Sequence, residues 1–187
     1  MPRQVQLPEL KQATLIPEAR PLPLFNLVDH KGAEFTPARL RKHWSFLFFG
    51  YTHCPDICPV TMTVFQQTAL RLRDTSLGGG VVQFVLVSID PERDTPEQLA
   101  QFVAYFHQDF IGVTGTPPAI DNITRELGIM HAKTGAGSTD SYTVEHSASI
   151  LLVDPQARLY AIFSPPHQPD DLAADLKQLA RYYESTL

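Results

Sequence analysis

The chain has 187 residues, of which 43% are hydrophobic and 19% are charged, and its formal net charge is −5. These values predict one globular domain with a sizeable core and exclude a largely disordered chain. The acidic balance leaves no basic stripe for a nucleic-acid backbone, so we expect no nucleic-acid partner. No run of residues approaches the ~20 consecutive apolar residues that cross a bilayer.

The N-terminal segment, residues 1–23, is polar and is interrupted by five prolines. Such a composition predicts an extended lead-in or the remnant of a tether rather than a folded element. We therefore expect the domain to occupy residues 24–187. Its first element is predicted to be a β-hairpin, with strands at residues 24–28 and 33–36 on either side of a polar turn.

Two buried strands and two helix starts follow in the first half of the domain. An apolar run at residues 45–49 predicts a strand, and Pro59 fits the first position of the helix after it. A second buried strand is predicted at residues 81–89. The next helix is well marked because Thr95 can serve as its N-cap and Gln98 can complete a capping box.

The second half of the chain continues the alternation of helices and strands. Thr116 predicts the start of a helix that ends at Gly128, and a long irregular segment is expected over residues 130–145. A hairpin over residues 149–163 and a helix from Pro169 complete the domain. This order predicts an α/β fold, a three-layer sandwich of the thioredoxin type with an added N-terminal β-hairpin.

Cys54 and Cys58 are the only cysteines, and they lie between a predicted strand and a predicted helix. Their C-x-x-x-C spacing is one residue wider than the usual redox pair, which favours metal binding over pure disulfide exchange. With Pro59 as the first helical residue, Cys58 lies near the N-cap, where the helix dipole lowers a thiol pKa. We expect at least one thiolate near neutral pH. The pair can bind a soft ion such as Cu(I), oxidise to a disulfide, or simply pack.

A third ligand would complete a trigonal site, and His146 is the favoured histidine. It directly precedes an apparent core strand, and in thioredoxin-like proteins the residues that enter this strand face the cysteine loop. His53 is the main competitor, although its side chain is expected to point away from the site that Cys54 faces. A Cys2His set leaves a structural zinc site one ligand short, and blue copper uses one cysteine with two histidines. Asp90 ends a buried strand, where either a site role or a turn role is open.

Three blocks of sequence together resemble the Sco/SenC proteins, thioredoxin-fold copper chaperones for cytochrome c oxidase assembly. The blocks are FGYTHCPDICP at residues 49–59, SIDPERDTP at residues 88–96, and VEHS at residues 144–147 followed by LVDP at residues 152–155. The resemblance extends from about Leu24 to the C-terminus. Because the three blocks occur together and in order, the match is specific.

The resemblance implies a site and a partner. Cys54, Cys58 and His146 would bind copper as Cu(I), with Cu(II) as an open alternative, and Cys54 and Cys58 would form a disulfide when oxidised. Asp90 would lie near the site and take part in copper handling. The implied activity is delivery of copper to the CuA centre of cytochrome c oxidase subunit II, or to another copper protein.

Two alternative activities use the same cysteines as catalytic groups. The first is thiol-disulfide exchange, in which Cys54 attacks and the cysteines of the copper-site partner are reduced. A thiol peroxidase is less favoured because His53, and not a threonine, precedes Cys54. Whether the protein is an enzyme therefore depends on whether Cys54 and Cys58 turn over without metal.

The resemblance also implies a location outside the cytoplasm. We expect the bacterial periplasm or cell envelope, with the mitochondrial intermembrane space as the alternative. Family members usually carry a membrane anchor or an export signal, and the first six residues show neither feature. We therefore expect a native anchor or signal to be missing from this chain, and membrane contact only through such an anchor.

Overall fold

Strands and helices alternate along the residues that this computed structural model describes, 7–78, 80–135 and 142–187. The strands are β1 (Ala13–Pro21), β2 (Leu27–Asp29), β3 (Glu34–Phe35), β4 (His43–Gly50), β5 (Val81–Ser88), β6 (Ile111–Thr114), β7 (His131–Thr134), β8 (Thr143–His146), β9 (Ile150–Val153) and β10 (Arg158–Phe163). The helices are α1 (Ile57–Leu72), α2 (Pro96–Phe106), α3 (Pro117–Glu126) and α4 (Pro169–Ser185), with a 3-10 helix at Pro37–Leu40. Within these residues, no helix is both long enough and apolar enough to cross a membrane.

Eight of the strands form one sheet in the order β1-β10-β9-β4-β5-β6-β2-β3. Strands β4, β5 and β6 are parallel, whereas β9 runs antiparallel to β4. The central strands read as continuous apolar runs because both faces of the sheet are covered. The fold is the predicted three-layer α/β sandwich of the thioredoxin type, and β2 and β3 form the predicted N-terminal hairpin.

An aromatic cluster fixes α1 against the centre of the sheet. Phe46 of β4 stacks on Phe84 of β5, with 5.1 Å between ring centroids. Phe65 of α1 lies 6.0 Å from the first ring and 5.0 Å from the second. Full burial of such a side chain contributes about 1.5–3 kcal/mol. This packing sets where the first turn of α1, which contains Cys58, meets the end of β4.

The prediction that residues 1–23 contain no folded element is wrong for β1. This strand pairs with β10 at the edge of the sheet, and its register shifts between Leu15 and Arg20. Pro17 and Pro21 are tolerated because an edge strand leaves one side of its backbone unpaired. The Asp175 carboxylate also accepts hydrogen bonds from the backbone N–H groups of residues 11–13, so α4 fastens the start of the strand.

The segment predicted to be irregular, residues 130–145, contains two short strands. β7 and β8 pair as a separate two-stranded sheet, with His131 opposite His146. The prediction is wrong for these strands because their alternation is too short to be recognised without the pairing partner. The intervening part of the prediction, residues 136–141, lies outside the described residues.

Other boundaries follow the local signals closely. Helix α2 begins after Thr95, whose hydroxyl accepts from the backbone of Gln98 while the Gln98 side chain accepts from the backbone of Thr95. Strands β9 and β10 form the predicted hairpin, and α4 begins at Pro169. Strand β6 was not predicted, because it has only four residues and includes Gly112.

Candidate metal centre

The topology brings the cysteine motif and His146 to one edge of the sheet. Strands β4 and β5 end side by side, with Gly50 opposite Ser88. Strand β9 runs the other way, and its first residue, Ile150, lies opposite Phe48. The chain that leaves β4 and the chain that enters β9 therefore meet at the carboxyl ends of the parallel strands, where sites in α/β folds form.

Cys54, Cys58 and His146 offer three ligand atoms that all lie within 4.8 Å of one another. The Cys58 Sγ and the His146 Nε2 are 3.5 Å apart. His53 does not belong to this group, and neither does Asp90. The structure thus brings together the three residues predicted as ligands and leaves the competing histidine outside.

Cys58 lies in the first turn of α1, which begins at Ile57 rather than at Pro59, and its N-cap residue is Asp56. The Cys58 side chain is fully buried, and its sulfur accepts a 3.5 Å hydrogen bond from the Tyr51 N–H. A Cβ atom on Gly50 would come within 2.7 Å of this sulfur. The sulfur therefore packs directly on the backbone at the end of β4, and a larger residue at that position would displace it.

The orientation of His146 leaves Nε2 available to a metal. Its Nδ1 lies 3.1 Å from the Ser147 carbonyl oxygen. Because a carbonyl oxygen can only accept, Nδ1 carries the proton and donates this hydrogen bond. The imidazole ring meets the rings of Phe48 and Tyr51 edge-on, at centroid distances of 5.8 and 5.9 Å. The Tyr51 hydroxyl accepts from the Val144 N–H at 3.0 Å, which ties β8 to the cysteine loop. Metal-binding histidines are commonly held in this way through the second ring nitrogen.

The two cysteines are free thiols with different protonation behaviour. A hydrogen bond from Cys58, together with bonds from backbone N–H groups, lowers the pKa of half-buried Cys54 to about 3. The adjacent Cys54 sulfur, together with burial, raises the pKa of Cys58. A thiolate is therefore present, but it is Cys54. The expected lower pKa at Cys58 is wrong because neighbouring charge and burial outweigh the helix dipole.

The profile of the SCO1/SenC family matches residues 15–181 of this chain. The chain belongs to the SCO1/SenC family. A Stutzerimonas stutzeri protein described as copper-binding is 34% identical over 169 residues, which cover 88% of this chain and 79% of that protein. The mitochondrial SCO1 homolog 1 of Arabidopsis thaliana is 34% identical over 85% of this chain, but the match spans only 47% of its own length.

One similar protein has been solved with copper bound. The crystal structure of Arabidopsis thaliana ScoI with copper bound aligns with a TM-score of 0.79 and 32% identity. The alignment covers 86% of this chain and 98% of that chain. The family resemblance predicted from the three sequence blocks is therefore confirmed, and so is the fold.

Asp94 lies beside the candidate metal centre, and the sequence patterns did not indicate it. Its fully buried carboxylate accepts from the Ser88 hydroxyl at 2.7 Å and from the Thr52 N–H at 3.0 Å. It also accepts from the Thr52 hydroxyl at 2.6 Å. Asp94 thus ties the start of the cysteine loop to the end of β5. The signal that pointed to Asp90, an acidic residue directly after a buried strand, does not extend to Asp94, which lies four positions further along the chain.

Asp90 is buried, and its carboxylate is occupied by protein groups. It accepts from the Arg93 Nε and from the Tyr142 hydroxyl, each at 2.5 Å. Burial, followed by this contact, raises the pKa of Tyr142 to about 12. The Arg93 guanidinium lies over the Tyr142 ring, 3.7 Å from its centroid. The same group lies 5.8 Å from the centroid of the Tyr51 ring. Asp90 therefore connects with the site through Arg93 and Tyr51 rather than as a member of the ligand cluster.

Proposed function

We propose that this chain is a copper metallochaperone that holds Cu(I) between Cys54, Cys58 and His146. The observation that carries the proposal is the convergence of two sulfurs and one imidazole nitrogen within 4.8 Å. Thiolates select soft ions such as Cu(I) over ions that prefer oxygen. Family membership and the copper-bound ScoI relative support copper as the cargo.

The spacing of the ligand atoms suits one ion. Three ligands that surround an ion at bond lengths of about 2.3 Å are themselves about 4 Å apart in a trigonal arrangement. The three atoms here are separated by no more than 4.8 Å, so small shifts of the side chains complete the site. The imidazole also makes the site able to hold Cu(II), which favours nitrogen ligands more than Cu(I) does.

The proposed recipient is the CuA centre of cytochrome c oxidase subunit II, with another copper protein as the alternative. Copper would pass by ligand exchange, in which a sulfur of the recipient replaces a sulfur of this chain. Cys54 is half-buried and Cys58 is fully buried, so the exchange would begin at Cys54. Asp90, which acts on Arg93 and Tyr51 beside the cluster, is proposed to position the site during transfer.

We place this activity in the bacterial periplasm or cell envelope. The mitochondrial intermembrane space is the alternative, since one relative is a mitochondrial protein. A tether in the native protein would attach to the N-terminal side of β1, whose first residue is Ala13. Membrane contact through such a tether remains part of the proposal.

A copper titration tests the chaperone function. The reduced protein, titrated anaerobically with Cu(I) against a competing chelator, is expected to bind one tight equivalent. The C54A/C58A variant is expected to lose it, because binding depends on deprotonated thiols. A variant with all thiols intact, His43→Ala at the far end of β4, controls for the loss of a surface imidazole. Absence of tight binding by the reduced parent would contradict the proposal.

A second candidate function, thiol-disulfide exchange, is favoured by the state of Cys54. Its thiolate is half-exposed, with a pKa of about 3, and the buried Cys58 thiol lies beside it. Cys54 would attack a partner disulfide and release one partner thiolate, and Cys58 would then displace the second, leaving the Cys54–Cys58 disulfide. Cys58→Ala is expected to trap the mixed disulfide with an oxidised peptide from the CuA loop, whereas Cys54→Ala traps none. Equal, negligible trapping by both variants would exclude the exchange.

A further inference from the structure

His167 contacts the backbone of the segment that carries His146 into the sheet. Its Nε2 lies 2.6 Å from the Ala148 carbonyl oxygen. A carbonyl oxygen can only accept, so the His167 Nε2–H donates this hydrogen bond. Ala148 lies two residues after His146 in the chain. The contact therefore falls directly beside the candidate metal centre.

The segment that accepts this hydrogen bond, residues 147–149, has little stiffness of its own. It reads Ser-Ala-Ser, without a proline, and it connects β8 with β9 without belonging to either strand. The backbone dihedrals of such a link are free unless other groups hold them. The Ser147 N–H donates to the Met130 carbonyl at 3.0 Å, and His167 holds the Ala148 carbonyl. The position of the link thus depends on groups from distant parts of the chain.

The effect of His167 reaches the His146 ring through two successive peptide groups. The His146 Nδ1 donates to the Ser147 carbonyl, and the His167 Nε2 donates to the Ala148 carbonyl. Each peptide group is planar, and these two share the Cα atom of Ala148. If the Ala148 carbonyl turned toward water, the Ser147 carbonyl and the imidazole that it orients would move with it.

The loop around His167 presents this ring toward the interior. Both neighbours of His167 in the chain are exposed, whereas His167 is half-buried. Gln12 fastens the loop to the start of β1: its Nε2 donates to the Ser164 carbonyl at 2.9 Å, and its Oε1 accepts from the Gln168 N–H at 3.4 Å. The ring is therefore held from both sides of its own loop.

Packing alone does not explain an imidazole at this position. The His167 Nδ1 is buried and has no hydrogen-bond partner among the described residues. An unpaired buried polar atom costs free energy, so a hydrophobic ring would serve better if the position only had to be filled. The hydrogen bond made by the other ring nitrogen accounts for the histidine.

We propose that His167 is a positioning residue for the copper site, which fixes the direction in which His146 presents Nε2 by holding the Ala148 carbonyl. The inference rests on the copper chaperone function proposed above. Cu(II) depends on the imidazole more than Cu(I) does, so this positioning sets the balance of affinity between the two ions. His167 itself neither binds copper nor transfers a proton.

Two substitutions separate the hydrogen bond from the ring. His167→Phe keeps a ring of similar size and removes the donor, whereas His167→Gln places an N–H donor the same number of bonds from the Cα atom. His167→Phe is expected to weaken Cu(II) binding by about tenfold, to change the hyperfine splitting in the EPR spectrum of bound Cu(II), and to leave Cu(I) affinity within about twofold of the parent. His167→Gln is expected to restore the Cu(II) affinity and the spectrum.

Two controls accompany these variants. His107 is also half-buried, but it lies at the end of α2 and before β6, at the amino ends of the parallel strands and away from the cluster. His107→Phe is expected to match the parent. In a His146→Ala background, His167→Phe is expected to have no further effect on Cu(II) affinity, because His167 acts through His146.

The other outcomes overturn the inference. They are a parent-like Cu(II) affinity and spectrum in His167→Phe, an equal further loss in the His146→Ala background, and a parallel loss of both ions that His167→Gln does not restore. If His167→Phe does not fold, NMR of the parent decides: Cu(I) loading is expected to shift the ring resonances of His167 but not those of His107, and unshifted His167 resonances would refute the coupling. Failure of the reduced parent to bind Cu(I) is a separate readout, which would remove the chaperone function itself.

Discussion

His146→Ala is expected to weaken Cu(II) binding by about 100-fold while Cu(I) binding falls much less. The physical reason is that two thiolates alone can satisfy Cu(I), whereas Cu(II) depends more on the imidazole nitrogen. The His146 Nε2 is the one nitrogen of the cluster, 3.5 Å from the Cys58 sulfur. Parallel titrations of the reduced protein with Cu(I), and with Cu(II) under conditions that keep the thiols reduced, would measure the difference.

A matched control exists on the paired strand. His131 lies opposite His146 across β7 and β8, but its Nε2 is 3.1 Å from the Thr124 hydroxyl rather than at the cluster. His131→Ala removes the same side chain from the same two-stranded sheet and should leave both affinities near those of the parent. If His146→Ala bound both ions as the parent does, His146 would be excluded as a ligand.

Asp94→Ala is expected to lower the free energy of unfolding by about 3 kcal/mol, because it leaves buried donors without a partner. The donors are the Ser88 hydroxyl and the N–H and hydroxyl of Thr52. Urea denaturation of the reduced, metal-free protein would measure the change. Because Thr52 begins the cysteine loop, the variant should also lose Cu(I) affinity as the loop departs from its bound position.

Asp109→Ala provides the comparison for this loss. Its carboxylate is 78% exposed and lies 3.9 Å from the His107 Nδ1, so its removal should change stability by no more than about 0.5 kcal/mol. Equal costs for the two aspartate variants would show that Asp94 does not hold the loop. A stability loss at Asp94 with an unchanged Cu(I) affinity would restrict its role to folding.

Some features of this protein were readable from short stretches of sequence. The start of α2 follows from Thr95 and Gln98, whose reciprocal capping bonds involve residues only three positions apart. The strand before Cys54 follows from an apolar run, and the pair of cysteines by itself indicates a soft-metal or redox site. Local hydrogen bonding, hydrophobic pattern and ligand chemistry are properties of the residues themselves, so the sequence alone determined these points.

The tertiary structure decided the rest, for two physical reasons. Strand β1 and the β7–β8 pair exist through hydrogen bonds to partners, and for β1 the partner strand, β10, is distant in the chain. The protonation of Cys54 and the roles of Asp94 and Gly50 depend on burial and on distances of a few ångströms between segments that only folding brings together. Pairing and desolvation are set by three-dimensional neighbours, and no local pattern in the sequence specifies those neighbours.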